Sequence, residues 1–308
     1  MSQFSIAIPT RNRPQVLRVL LGSILSQTVA PKEVIVVDDS DNEATENLTA
    51  EMQKDFESRG VPLKYMRGGG ESVTQARNMG IDASSGEICC SIDDDVVLHR
   101  DYIEEILGVY RSHPEALGVA GHIENLQLSG LSNGLNRAFS FFFTAQDRCR
   151  VRPTGTCYPA PLTRVINCEW FSGTNLSFKR QVLEKFRWDE KLKKYSLCDD
   201  MDISYRIQKQ KPKTLFMTPN AKVVHTYSKL ARIPSDQRIQ MEISYHAYFY
   251  FKNMKQTVVN TLRFMYGIFL GRLVLCIVSR NPQSVIFTIK AQLCLIRNME
   301  RVKHGKLG

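Results

Sequence analysis

Three consecutive carboxylates, Asp93-Asp94-Asp95, close the largely apolar run Glu87–Ile92. Adjacent like charges repel, and a hard divalent cation with oxygen ligands, shared with a diphosphate, relieves that repulsion. A solvated turn with a helix N-cap would use the same residue type. Asp38-Asp39 repeats the pattern after Val34-Ile35-Val36-Val37, where a strand-end carboxylate can accept hydrogen bonds from a nucleobase or ribose. A third acidic group, Cys198-Asp199-Asp200-Met201-Asp202, opens a helical pattern. There a carboxylate serves either as an N-cap or as a general base toward an incoming hydroxyl. His225 alternates with apolar residues in Val223-Val224-His225-Thr226, as a structural residue of a strand or as a metal ligand does.

The elements that carry these residues follow from periodicity. Phe4–Ile8 reads as a buried strand ended by Pro9, and Arg13-Pro14 opens a helix with Leu17, Leu20, Leu21, Ile24 and Leu25 on its apolar side. Val34–Val37, Leu63–Met66, Glu87–Ile92 and Leu117–Ala120 are further strands. Helices are expected from Glu71 to Ala83, after the turn Gly68-Gly69-Gly70, and over Asp101–Arg111. Strands alternating with helices, too far apart for hairpins, imply right-handed crossovers and a mainly parallel sheet. In such sheets ligands sit beyond the carboxyl ends of the strands, where two of the acidic clusters fall. Cys149–Thr163 reads as a Pro- and Gly-rich loop. Order resumes with Val165–Phe171, helices at Lys179–Phe186 and Asp199–Gln210, and short strands at Thr214–Met217 and Lys222–Thr226.

Charge is uneven. From Lys252 to the end there are ten Lys or Arg against one acid, Glu300, so this segment holds +9 of the chain's formal +10. It also holds the most hydrophobic stretch, 257–279, which Arg263 and Arg272 interrupt into runs of eight and six residues. Spanning a bilayer takes about 20 apolar residues, so no span is expected. The two arginines, nine residues apart, fall on opposite faces of a straight helix, which blurs an interfacial face. Basic charge beside apolar helices still favours peripheral contact with an anionic membrane surface. The eight cysteines form no CxxC pair and the N-terminus has no basic, apolar leader. These features predict reduced thiols and a cytoplasmic protein, at the cytoplasmic face of the membrane.

Taken together, the motifs resemble family 2 glycosyltransferases. The resemblance rests on Ile6-Ala7-Ile8-Pro9-Thr10-Arg11-Asn12-Arg13, Glu33–Ser40, Ala76-Arg77-Asn78-Met79-Gly80, Ile92–Asp95, Gly173–Arg180 and Asp199–Asp202, in that order, over roughly residues 3–226. It implies an α/β GT-A fold, Rossmann-like, with a mainly parallel sheet flanked by helices. The catalytic domain would occupy 1–230, and a basic, partly apolar helical region 231–308. It further implies a nucleotide-sugar donor (UDP-, GDP- or dTDP-linked), Mn²⁺ or Mg²⁺, and inversion at the anomeric carbon. Pro9, Thr10, Arg11, Asp38, Asp39 and Arg77 would line the nucleotide. Asp93, Asp94, Gly173 and Thr174 would meet the ribose, diphosphate or sugar. Asp95, with Asp93 and His225, would hold the metal, and Asp200 would be the base. Family members usually carry Glu-Asp where this chain has Asp199-Asp200. Asp199 and Trp170, which either stacks on a sugar face or fills a core, are placed on the acceptor side. The basic, apolar tail and the loop 149–163 point to a glycan or lipid-linked acceptor in envelope polysaccharide or glycolipid synthesis.

Other classes fit less well. A sugar nucleotidyltransferase calls for a Gly-rich phosphate loop after the first strand, where Pro9-Thr10-Arg11-Asn12 stands. A dinucleotide oxidoreductase lacks its GxGxxG. A nucleic-acid binder would interleave aromatics with its basic face, and none do. A non-catalytic, membrane-associated scaffold on the same fold would have no need of every acidic position present here.

Overall fold

The computed structural model describes residues 4–126, 149–157, 162–227, 234–278 and 282–307. The chain divides into two compact units, Met1–Leu126 with Pro161–Arg232, and Gln127–Ala160 with Ile233–Gly308.

Among the described residues, the first unit is built on a nine-stranded sheet. Its strands are β1 (Phe4–Thr10), β2 (Glu33–Asp38), β3 (Leu63–Arg67), β4 (Ile88–Ile92), β5 (Val96–Leu98), β6 (Gly118–Ile123), β7 (Ile166–Asn167), β8 (Asn175–Lys179) and β9 (Leu215–His225). The order is β3-β2-β1-β4-β8-β6-β9-β5, with β7 against β9. From β3 to β4 every pairing is parallel, as the alternation of strands and helices predicts. Then β8 runs antiparallel between β4 and β6, which brings its N-terminal end, next to Gly173-Thr174, beside the carboxyl end of β4. The sheet is flanked by α1 (Pro14–Leu25), α2 (Ala44–Ser58), α3 (Val73–Ala83), α4 (Tyr102–Ser112), the short α5 (Arg180–Leu183) and α6 (Asp199–Gln210).

β1 shows why these layers form. Its side chains alternate, and Phe4, Ile6 and Ile8 join Leu17, Leu20, Leu21 and Ile24 of α1 in the main core. Each such side chain, fully buried, contributes roughly 1.5–3 kcal/mol. The opposite face receives α3, which approaches closely because Gly80 faces Ala7: a Cβ at Gly80 would stand 2.7 Å from that of Ala7. Pro14 occupies the first turn of α1, where its missing N–H costs nothing. Ser72 caps α3 by accepting from the Gln75 N–H at 3.2 Å.

Several expected elements shift. Thr214–Met217 and Lys222–Thr226 are one strand, β9. The Pro219-Asn220 step that reads as a break sits at a register shift against β6, between Ala120 and His122, where a bulge tolerates proline. β5, three residues directly after the acidic triplet, has no sequence signal of its own and forms because β9 offers it an edge. The helix expected at Lys179–Phe186 shortens to α5. In the loop after Cys149, Val151 pairs with Cys157 around Gly155, whose φ is +74°; residues 158–161 lie outside the described residues.

The second unit is helical: α7 (Ser235–Asn253), α8 (Val258–Met265), a π-helical turn (Tyr266–Gly271), α9 (Arg272–Val278), α10 (Pro282–Arg297) and α11 (Met299–Lys303). Among the described residues no helix is long and apolar enough to cross a membrane.

Candidate active site

The triplet after β4 sends its three carboxylates in different directions. Asp94 turns inward and is 5% exposed; it accepts from Thr10 Oγ1 at 2.7 Å and from Arg13 Nη1 at 3.0 Å. Burial nevertheless pushes its carboxyl up to about 6, against the pull of Arg13 and Thr10. Asp93 points the other way, to Arg77 Nη2 at 2.8 Å. Asp95 Oδ1 pairs with His225 Nε2 at 2.9 Å, and its carbonyl accepts from the Thr226 N–H at 2.9 Å. The acidic end of one strand thus connects to three separate stretches of chain.

Arg77, on α3, is the central cation. It is 3% exposed and bonds Asp93 with Nη2 and Asp199 with Nη1, the latter at 2.9 Å. Nη2 also reaches the Gly173 carbonyl at 3.3 Å, and the guanidinium lies 5.9 Å from the centre of the Trp188 ring. One buried carboxylate, Asp199, and one half-buried one, Asp93, are tolerable around a buried arginine because the opposite charges offset each other's desolvation.

Asp200 stands in the first turn of α6, where the aligned peptide dipoles favour a negative charge. Its Oδ2 accepts from the Gly173 N–H and its Oδ1 from the Met201 N–H, both at 2.7 Å. Burial raises the carboxyls of both Asp199 and Asp200, that of Asp199 to about 7 in spite of Arg77, with the charges of Asp200 and Asp93 adding to the effect. The approach to this helix is strained: Lys194, Ser196 and Cys198 have φ of 55°, 48° and 71°. Left-handed conformations in non-glycine residues cluster where a site fixes its geometry at some cost in stability.

At the end of β2, Asp38 is fully buried and accepts from the Ser40 N–H at 2.9 Å and from Tyr65 Oη at 3.1 Å. Asp39 is the partly exposed member of the pair. Its N–H donates to the Thr10 carbonyl and its Oδ1 accepts from the Gly70 N–H at 2.8 Å. Gly68 allows this: a Cβ there would lie 2.0 Å from Asp39 Oδ1. Burial raises the Asp39 carboxyl although Gly70 and Arg11 oppose it.

A continuous run of contacts therefore joins the acidic clusters. Asp39 bonds Thr10, Thr10 bonds Asp94, Asp93 bonds Arg77, Arg77 bonds Asp199 and the Gly173 carbonyl, and the Gly173 N–H bonds Asp200. The Asp93 N–H donates to the Thr174 carbonyl at 3.1 Å, fixing the loop before β8. Pro9 is buried in β1. Arg11 extends outward to Asp41 at 3.4 Å. Trp170 lies on the segment before Gly173, its Nε1 buried without a hydrogen-bond partner among the described residues.

Two contributors carry no chemical signal in the sequence pattern. Arg13 reads as the start of a helix, yet it makes no cap and instead holds Asp94 and stands 3.8 Å from Asp95. Its place in the Thr10-Arg11-Asn12-Arg13 motif is the one feature that could have found it. Trp188, under Arg77, has none.

Among the described residues no three His, Cys, Asp or Glu side chains converge as a complete metal site. Asp95 and His225 nevertheless fit two adjacent ligands of an octahedral ion, whose neighbouring donors stand about 3 Å apart at bond lengths near 2.1 Å. The carboxylate suits Mg²⁺ or Mn²⁺ and the imidazole suits transition-metal ions, and a bound diphosphate would supply further oxygens.

Comparison with known proteins gives a consistent picture. Residues 5–185 match the sequence profile of glycosyl transferase family 2. The chain is 26% identical over 211 residues to a glucosyl-dolichyl phosphate glucuronosyltransferase of Haloferax volcanii, covering 66% of this chain and 62% of that protein. It is 31% identical over 97 residues to a GalNAc(5)-diNAcBac-PP-undecaprenol beta-1,3-glucosyltransferase of Campylobacter jejuni, 31% of this chain and 30% of that one. It thus spans less than two thirds of either relative. Among solved structures, a mannosyltransferase of Pyrobaculum calidifontis in complex with GDP-Man and Mn²⁺ has a similar fold, with a TM-score of 0.57 and 17% identity over 96% of this chain and 75% of that one.

Proposed function

We propose, from the premise that this chain belongs to glycosyl transferase family 2 and is a glycosyltransferase, that it transfers a sugar from a nucleoside-diphosphate donor to a lipid-linked glycan, with inversion, at a membrane surface. The observation that carries this reading is the unbroken contact network from Asp39, through Thr10, the triplet and Arg77, to Asp200. It supports reading Asp39 as the nucleotide-facing carboxylate, the triplet as diphosphate-facing and Asp200, its carboxyl raised by burial, as the base of the same site.

Each residue then has a part. Asp39 accepts from the donor's base or ribose, with Pro9, Thr10 and Arg11 beside it and Asp38 buttressing the turn. Thr10 and Arg13 hold Asp94 inward, while Asp93 turns to Arg77 and Asp95, equally buried, turns to His225. Arg77 fixes Asp93 and Asp199, while Gly173 and Thr174 let the donor sugar approach the backbone. Asp200 removes the proton from the acceptor hydroxyl as that oxygen attacks the anomeric carbon, a contribution of about 10²–10⁴ in rate. Because the hydroxyl attacks opposite the departing diphosphate, one displacement inverts the centre. Asp95 and His225 would hold a divalent cation, Mn²⁺ or Mg²⁺, which as a Lewis acid would neutralise charge growing on the diphosphate, while Asp93, turned to Arg77, would face the donor's ribose or sugar. Trp170 and Asp199 lie toward the acceptor side. Relatives named for dolichyl- and undecaprenyl-linked substrates support a lipid-linked acceptor.

The test is donor turnover over a panel of UDP-, GDP- and dTDP-sugars, with and without Mn²⁺, in wild type and Asp200→Asn. Metal-dependent turnover of one donor is expected, lost at least 100-fold in the variant while donor affinity stays within about twofold. Near-normal turnover by Asp200→Asn would remove it as the base.

A further inference from the structure

The helical unit exposes its large apolar side chains. Among the described residues, every exposed large hydrophobic except Val19 and Tyr227 falls between Val258 and Ile296. On α10, Ile286, Ile289, Leu293 and Ile296 are 53%, 43%, 48% and 55% exposed, and their spacing places them on one stripe of the helix. The buried stripe of the same helix is Thr288, Ala291, Gln292 and Leu295. A helix facing only water does the reverse, hiding its large apolar stripe and showing polar residues.

The buried glutamine has a physical reason. Gln292 Nε2 donates to the carbonyls of Ile268 and Phe269, each at 2.9 Å, so its buried amide is satisfied by the backbone of the π-helical turn. That bond ties α10 to the segment holding the second apolar stripe: Val258, Val259 and Leu262 of α8, Tyr266 and Leu270 of the turn, and Ile277 of α9. Arg272, which on a straight helix would spoil an interfacial face, is instead turned to Glu242 of α7 in an ion pair.

We propose that these two stripes dock on a lipid surface carrying anionic headgroups, with Ile286, Ile289, Leu293 and Ile296 entering the headgroup–acyl boundary. Lys290 and Arg297 are exposed and fall within about 40° of Ile286 around α10, so they meet phosphates where the apolar stripe enters. From Lys252 onward the only acid is Glu300, already bonded to Lys303 at 2.6 Å. A second copy of the chain is a poor occupant, because it would press two segments of +9 against each other. The docking face rests on the reading that the acceptor is membrane-borne.

Vesicle co-sedimentation of the full chain tests this, comparing pure phosphatidylcholine with a mixture containing about 30 mol% phosphatidylglycerol, at low and high salt. Binding to the anionic vesicles should exceed binding to the neutral ones by about tenfold or more and weaken with salt. Ile289→Glu with Leu293→Glu should abolish it, and Lys290→Glu with Arg297→Glu should lower it about tenfold or more. Circular dichroism and donor turnover in free solution should match wild type in both variants, so a failure of the transferase reading is scored separately. Equal binding to the two lipids, no binding by wild type, or wild-type binding by both variants would overturn the proposal. So would a wild-type dimer that the apolar substitutions convert to monomer.

Discussion

At the scale of single residues, the site is organised by who neutralises whom. Asp200 must be ionised to accept a proton, and burial lifts its pKa above the ordinary aspartate value near 4. Activity must therefore fall as pH drops through that raised value, so the acid limb of kcat lies above the usual carboxylate range. Asp199, pushed up to about 7, is largely protonated across that limb, so Asp199→Asn should leave the limb close to its wild-type position. A limb near pH 4 in wild type would contradict the assignment of Asp200 as the base. Arg77 gives a second prediction. Replacing it with Met, of similar reach but no charge, leaves Asp199 buried and Asp93 half-buried without their cation and should cost about 3 kcal/mol in urea unfolding. The acidic residues of this site were legible in the sequence because like charges packed directly after an apolar run are costly unless something offsets them. Arg13 and Trp188 were not, since an arginine at a helix start and a tryptophan in a loop are ordinary, and only the fold brings them to Asp94 and Arg77.

At the scale of elements, β1, β2 and α1 could be read directly from apolar runs and helical spacing, because their patterns are set by burial within a few residues of each other. β5 and the continuity of β9 could not, because both depend on partners far away in the chain. The long-range ties are polar as well as apolar. Glu33 at the start of β2 accepts from Ser5 Oγ at 2.7 Å on β1, from Lys64 Nζ at 2.5 Å on β3, and from the Ser85 N–H and hydroxyl after α3. Burial opposes its ionisation, yet these donors prevail and hold the carboxyl at about 2, below its unfolded value of about 4.5. With the folded value depressed, the stabilisation is fully present above about pH 4.5 and is lost as pH falls toward 2. Glu33→Gln should lower stability at neutral pH and flatten its dependence on pH across that window, measured by denaturant midpoints. An unchanged acid slope would show that the β1–β2–β3 tie does not depend on this charge.

At the scale of the whole molecule, the proposed metal site and the proposed donor site are each incomplete and share one edge. Asp95 and His225 offer two adjacent ligand positions, and no third carboxylate or imidazole joins them among the described residues. Neither ion nor nucleotide alone then meets a full set of partners, whereas the diphosphate oxygens complete the ion's coordination and the ion offsets the diphosphate's charge. The folded state should consequently be stabilised by both together far more than by either alone. At a ligand concentration of about 100 Kd the linkage is worth roughly 2.7 kcal/mol, a rise in Tm of roughly 5 °C for a unit of this size. A thermal-shift matrix of nucleoside diphosphates against Mn²⁺ should show that rise for one base in the presence of metal, its reversal by EDTA, and its absence in Asp95→Ala. Asp200→Asn should keep the shift, because the base acts on the acceptor and not on the diphosphate. Additive shifts from metal and nucleotide, persisting in Asp95→Ala, would separate the two sites that the contact network joins and leave the triplet a structural feature of β4.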